Sequence, residues 1–281
     1  MKKREKGIQF IQNNLSLFRC PVCHDTYDRV ESGSIICPNQ HAIDISKKGT
    51  LYFLNHAVTS EYDDAMLASR RRILTAGLFD PICQEFAKNI DKDEVILDVG
   101  SGEGTPLKKT LSMTEGATAV GFDISTAGIN LATQLNSSAF FCIADLANLP
   151  FTNDKFTTIL DLFSPSAYAE FQRVLKPGGQ VLKIVPNSNY LGELRQLLYE
   201  KDSQHADYQN DQVVSLFEKH FPHAQTKQLT YTFKFEDDLL SDLIQMTPLH
   251  WGATPEMIQN AQASQLNHIT VDVTLLKGTI A

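Results

Sequence analysis

Three cysteines and a histidine stand in two tight clusters near the start of the chain: Cys20-Pro-Val-Cys23, thirteen residues, then Cys37-Pro-Asn-Gln-His41. Three thiolates and an imidazole are the donor set of tetrahedral zinc. Four protein ligands close the coordination shell, so the ion would be structural rather than catalytic. Two paired clusters at this spacing are a specific signal. His24 lies beside Cys23, but the Cys-x-x-x-His spacing favours His41. A module this small buries little apolar area, so the metal is expected to supply much of its folding energy.

A second group carries different chemistry. Asp98-Val99-Gly100-Ser101-Gly102-Glu103-Gly104 follows an apolar run and opens a helical stretch. Glycines there let the backbone pass close to a ligand. The spacing is Gly-x-Gly-x-Gly, not the Gly-x-Gly-x-x-Gly of dinucleotide binders, and it needs no pyrophosphate. It suits the amino-acid arm of S-adenosylmethionine, which makes Asp98, Gly100, Gly102 and Gly104 candidate cofactor contacts. Asp123 ends the next predicted strand, where a carboxylate can accept both ribose hydroxyls. Asp145, followed by Leu146, ends the third, where the adenine would lie. Any one of these aspartates is equally well explained as a cap or turn residue. Three at successive strand ends point to a ligand at the carboxyl edge of a sheet.

The elements that must position these residues follow from periodicity. A short helix is expected over 1–18, with Ile8, Ile11 and Leu15 on one side, and short strands over 34–36, 43–45 and 50–54. The polar stretch 55–62 reads as a connector, giving a zinc-binding module over 1–55 and a catalytic-type domain over 56–281. Ser60 is placed to cap a helix over 63–76 that Gly77 ends, and a second helix covers 79–89. Strands are then expected over 94–99, 117–123, 139–143, 156–162 and 180–186, with helices over 127–135 and 167–175 between them. This alternation predicts a parallel, doubly wound α/β sheet. Leu191, Leu194, Leu197 and Leu198 form a helical stripe, read first as packing on the domain and second as a substrate-facing insertion. Two further strands, 227–235 and 268–276, complete a seven-strand plan, that of a class I (Rossmann-like) methyltransferase.

Composition sets limits. The 281 residues are 42% hydrophobic and 21% charged, ordinary for a globular chain. The net charge of −8 argues weakly against a nucleic-acid partner, although Lys2-Lys3-Arg4 and Arg70-Arg71-Arg72 are locally basic. Five cysteines, three of them in the zinc clusters, give no disulfide framework. Cys83 and Cys142 read as buried core thiols. The basic N-terminus leads into no apolar run, so neither a signal peptide nor a membrane span is expected. A cytoplasmic location, where thiols stay reduced, follows.

The motifs together resemble the large-subunit ribosomal RNA guanine-N1 methyltransferases of the RlmA (RrmA) family, nearly end to end. The two zinc clusters, Ile43-Asp44-x-x-Lys47-x-Gly49, Arg71-Arg72-x-Leu74 with Ala76-Gly77, and Gln245-Met246-Thr247-Pro248 before Trp251 carry the specific part. The glycine loop and Lys176-Pro-Gly-Gly179 are shared with many methyltransferases. Ser101 stands where the family often has Cys, and Thr105-Pro106 where aromatics often follow the loop. The resemblance implies methylation of guanine N1 in a 23S rRNA hairpin with S-adenosylmethionine, a homodimer, and no membrane. It also implies two alternative roles for Arg71, on RNA phosphates or on the cofactor's carboxylate.

Methyl transfer from a sulfonium is an in-line displacement, and alignment is most of the work. Guanine N1 carries a proton, so a base would help. Asp161, ending the fourth strand, is the best-placed carboxylate, with a structural hydrogen bond as its competing role. Phe163 and Trp251 are placed to stack on the target base; a core position explains Trp251 equally well. Two other functions fit the residues: a small-molecule (quinone-type) methyltransferase, separated by its substrate, and a non-enzymatic zinc-containing RNA-binding protein, separated by failure to bind S-adenosylmethionine. Lys47, Lys48, Arg70 and Arg71 are the basic residues expected to meet RNA.

Overall fold

The computed structural model describes residues 1–55, 63–199 and 210–280. The connector 55–62 and the proposed cap Ser60 fall mostly or wholly outside them. Helix α1 spans Lys3–Asn14, and β1 (Arg29–Glu31), β2 (Ser34–Ile36) and β3 (Ala42–Asp44) form a small antiparallel sheet. Strand β4, Leu51–Tyr52, leaves that sheet and joins a larger one. Helices α2 (Asp64–Ala76) and α3 (Asp80–Lys88) follow. The Asp63 side chain caps α2 by accepting from the Met66 N–H, and Gly77 ends it in the left-handed region.

The alternating part runs β5 (Val95–Val99), α4 (Thr105–Leu111), β6 (Thr118–Asp123), α5 (Thr126–Ala132), β7 (Phe140–Ile143), β8 (Phe156–Leu162), α6 (Tyr168–Val174) and β9 (Leu175–Pro186). Then come α7 (Gly192–Leu198), α8 (Asp211–His220), β10 (Gln225–Lys234), α9 (Leu240–Gln245), α10 (Pro255–Gln262) and β11 (His268–Thr279). The sheet order is β10-β11-β9-β8-β5-β6-β7-β4. Strands β4 to β9 pair in parallel, and β11 lies antiparallel to both β9 and β10. The sheet therefore has eight strands where seven are expected. The eighth is β4, whose Leu51 and Tyr52 pair with Cys142 and Ile143. A strand over 50–54 is expected from the sequence as part of the N-terminal module; its pairing with β7 is set by packing between distant segments.

The central strands are buried along their lengths, as strands covered on both faces must be. Leu191, Leu194 and Leu198 are buried too, which favours packing for that stripe. One apolar core includes Ile11, Phe18, Ile35 and Leu51 together with Phe140, Phe151 and Phe156, so the N-terminal segment shares a core with the large sheet. Phe10 stacks on Phe140 with ring centroids 5.0 Å apart. Cys83 and Cys142 are fully buried, as expected of core thiols.

Candidate active site and metal centre

The metal cluster assembles as the spacing predicts. Cys20, Cys23, Cys37 and His41 place their ligand atoms within 4.8 Å of one another. His41 Nδ1 lies 3.5 Å from both Cys20 Sγ and Cys37 Sγ, and Cys23 Sγ lies 3.6 Å from Cys37 Sγ. Tetrahedral zinc with Zn–S of about 2.3 Å and Zn–N of about 2.0 Å sets such edges at roughly 3.5–3.8 Å. The cage therefore fits the ion. His24 is exposed and stands outside the cluster. The hydroxyl of Tyr27 is buried with no hydrogen-bond partner among the described residues, and its proton is held on chiefly by burial and next by the neighbouring Cys20.

The cluster is bolted to the large sheet. Arg19 Nε donates to the Leu149 carbonyl at 3.2 Å, and Asn148 Nδ2 donates to the Pro21 carbonyl at 3.2 Å. Leu146–Asn148 is a single 3-10 turn, capped by Asp145, whose Oδ1 accepts from the Ala147 N–H at 2.8 Å. The metal cluster thus supports the turn that carries Asp145 and Leu146.

A cavity of about 1090 Å³ opens at the carboxyl ends of the parallel strands. Gly100, Gly102, Asp123, Ile124, Asp145 and Leu146 form one wall. Asp123 Oδ2 accepts from the Gly102 N–H and Oδ1 from the Ser125 N–H, both at 2.8 Å. Gly102 has φ +54, and a Cβ there would meet nothing within 4 Å, so bare backbone faces open space. A Cβ on Gly100 would stand 2.1 Å from Ser164 Oγ, so only glycine fits at that position. Gly104 packs against Ala132 and Phe141, away from the cavity; its role is to let α4 start.

The loop is ringed by acid. Asp98 is fully enclosed, and its carboxyl is pushed up to about 7, first by burial and then by Asp123, Asp161 and Glu103 around it, against a hydrogen bond from Ser101. Burial also raises Asp123, opposed by the Ser125 and Gly102 N–H groups and by Arg70. Asp123 and Asp145 on the cavity wall are the carboxylates that a ligand with hydroxyl, amino and ammonium groups could meet. Bare glycine backbone and strand-end carboxylates together fit S-adenosylmethionine.

The lining also includes Phe163, Ser164, Lys183, Tyr190, Arg195 and Trp251, together with Met246, Thr247, Pro248, Leu249 and Gly252. Trp251 is 46% exposed, so it is not a core residue. Phe163 packs on Phe79 and Tyr190 at the rim. Arg72 pairs with Asp242, which also accepts from Ser69 Oγ at 2.9 Å, and this ties α2 to the element leading into Met246 and Thr247.

Besides Asp98 and Gly104, two more expected residues stand outside the cavity lining. Arg71 does not line the cavity; it is ion-paired to the buried Glu103. Its neighbour Arg70 lines the cavity, with its guanidinium 5.6 Å above the Phe79 ring. Asp161 is fully buried and does not line the cavity. Its Oδ2 accepts from Ser166 Oγ at 2.7 Å and Lys183 Nζ at 2.8 Å, and its Oδ1 from the Ser164 N–H at 3.1 Å. Burial raises its carboxyl, and Lys183 opposes that most strongly. Lys183 was not foreseen. The signal was available: a lysine inside the apolar run Val181-Leu182-Lys183-Ile184-Val185.

Comparison with known proteins agrees with this geometry. The family described as a methyltransferase domain matches residues 90–237. A Bacillus subtilis protein, YxjB, provisionally named a 23S rRNA (guanine-N(1)-)-methyltransferase, is 34% identical over 94% of this chain and 98% of its own length. The 23S rRNA (guanine(748)-N(1))-methyltransferase of Streptomyces fradiae is 24% identical over 94% of this chain and 96% of its own. Among solved structures, phosphoethanolamine N-methyltransferase 2 of Haemonchus contortus superposes with a TM-score of 0.52 at 14% identity, over 80% of this chain and 60% of its own. That likeness bears on fold alone. With a relative at 34% identity over 94% of this chain and a methyltransferase domain matched over residues 90–237, this chain belongs to the 23S rRNA (guanine-N1)-methyltransferase family.

Proposed function

We propose that this protein methylates N1 of a guanine in a 23S rRNA hairpin. The observation that carries the reading is the lining of one cavity, which brings the glycine loop and strand-end carboxylates together with Trp251, Phe163 and Lys183. S-adenosylmethionine, when bound, supplies an electrophilic methyl carbon on a sulfonium. Asp123 would hold its ribose, Asp145 and Leu146 its adenine, the Gly100–Gly102 backbone its amino-acid arm, and Arg70 its carboxylate. Arg70 takes the role first considered for Arg71 because it faces the cavity. Trp251 would stack on the extruded base.

RNA contact is supported by a second, basic crevice. A cavity of about 600 Å³ between α1 and residues 132–141 is lined by Lys3, Lys6 and Lys48, with Asn, Gln and Ser and no carboxylate. In a chain of net charge −8 this is a local site for phosphates. The segment 1–55 therefore reads as a zinc-organised RNA grip and 56–281 as the catalytic domain. A homodimer belongs to the same reading and is checked by sedimentation. No described helix is long and apolar enough to cross a membrane.

The test is direct. The purified protein, methyl-labelled S-adenosylmethionine and an unmodified 23S rRNA hairpin should yield N1-methylguanosine on nuclease digestion and mass analysis. Label appearing only in small molecules would overturn the RNA reading.

A further inference from the structure

Lys183 occupies a costly position. Its side chain is 5% exposed, on a central strand flanked by apolar residues, and it faces Asp161, which is wholly enclosed. A buried ion pair is often no more stabilising than apolar residues of the same volume. Asp161 has hydrogen bonds from Ser164 and Ser166 without the lysine, so satisfying that carboxylate is not reason enough for a second buried charge. Lys183 Nζ also donates to the Ser164 carbonyl at 2.7 Å. An ammonium has three N–H groups; two have partners among the described residues, and the side chain lines the cavity. Ser164 meanwhile lies against Gly100 of the glycine loop. Lys183 is thus one residue removed from the loop along which the methyl donor would run.

We propose that Lys183 is the cation that stabilises the target guanine as its N1 loses a proton, and that Asp161 is the positioning residue that aims it. This rests on the guanine-N1 reading above. In the step, the N1 proton passes to solvent water, and the charge left on the base spreads from N1 to O6. The N1 electron pair then bonds to the methyl carbon as the carbon–sulfur pair returns to sulfur. A fixed ammonium beside O6 favours the deprotonated base and would hold it in a site of low dielectric. Arg70 and Arg195 also line the cavity; Lys183 is held by the carbonyl of the Ser164 turn, beside the glycine loop.

The experiment is a single-turnover pH–rate profile on the rRNA hairpin for wild type, Lys183→Met, Lys183→Arg and the double variant Asp161→Asn/Lys183→Met. Calorimetry with S-adenosylmethionine and circular dichroism accompany each. Lys183→Met should slow methylation about 100-fold near neutral pH and recover as pH rises, with cofactor affinity changed less than twofold, while Lys183→Arg keeps most of the rate. The double variant leaves no orphan charge, so it carries the test if the single variant fails to fold. In wild type itself the rate midpoint should lie below the N1 dissociation of free guanosine. A folded, cofactor-binding Lys183→Met or double variant with an unshifted profile would overturn the proposal, as would a wild-type midpoint equal to that of free guanosine. Wild type that methylates no guanine would instead refute the activity reading.

Discussion

Arg71 Nε lies 3.1 Å from Glu103 Oε2, and its terminal nitrogen donates to the Glu103 carbonyl at 2.8 Å. Helix α2 therefore clamps the glycine loop from behind, and Glu103 passes the hold to Thr105, whose Oγ1 donates to it at 2.6 Å. Removing Arg71 strands a buried carboxylate. Arg71→Ala should cost about 3 kcal/mol of stability in denaturant unfolding. Arg70→Ala should cost little stability and weaken S-adenosylmethionine binding by roughly 1.5–3 kcal/mol. The reverse pattern would exchange the two roles.

Metal content should be one zinc per chain by elemental analysis. Chelation, or Cys37→Ala, should lower the melting temperature, because the cage shares a core with the large sheet. It should also weaken cofactor binding about fivefold or more, since Pro21 and Arg19 brace the turn behind Asp145 and Leu146. Calorimetry on zinc-free protein with unchanged affinity would show that the brace is irrelevant to the pocket.

The enclosed Asp98 makes stability depend on pH. Its carboxyl is at about 7 when folded against 3.8 as a free group, so the folded state keeps a proton that the unfolded state loses between those values. Its contribution to stability therefore declines as pH rises from about 4 to about 7 and is level beyond. Asp98→Asn should remove that decline, read as the difference from wild type in urea unfolding across pH 4–8. A cationic ligand favours the ionised form, so wild-type affinity for S-adenosylmethionine should rise from pH 6 to pH 8, and the variant's should not. A variant more sensitive to pH than wild type would contradict the assignment.

Trp251 is exposed at the cavity mouth. Trp251→Ala should change stability by no more than about 0.5 kcal/mol. Loss of one base stack should cost roughly 1–3 kcal/mol in RNA binding or turnover. A large drop in melting temperature with normal turnover would make it a structural residue after all.

The metal cage, the glycine loop and the strand-end aspartates were legible because their chemistry is written in local spacing. Strand β8 spans 156–162 as expected, and β5, β6 and β7 agree to within a residue at each end, whereas β9 begins at Leu175, five residues before its expected start. What escaped depends on contacts between distant segments. Strand β1 has no alternation to mark it. Arg70 and Arg71 are adjacent in sequence but about 100° apart around a helix, and only packing decides which one meets the cavity. Asp161 looked like a base because it ends a strand; its enclosure and its partner Lys183 come from the pairing of β8 with β9, which sets the two residues side by side.

The two-residue strand β4 has an importance out of proportion to its length. It covers β7, which would otherwise be the bare edge of the sheet. Phe140 and Cys142 on that edge are buried largely by the N-terminal segment. An unpaired, apolar edge strand is a template for other chains. Cutting the protein near residue 55 should therefore release not a tidy catalytic fragment but an aggregating one. The zinc-organised segment would then serve a second purpose, as the cap that keeps the sheet from growing.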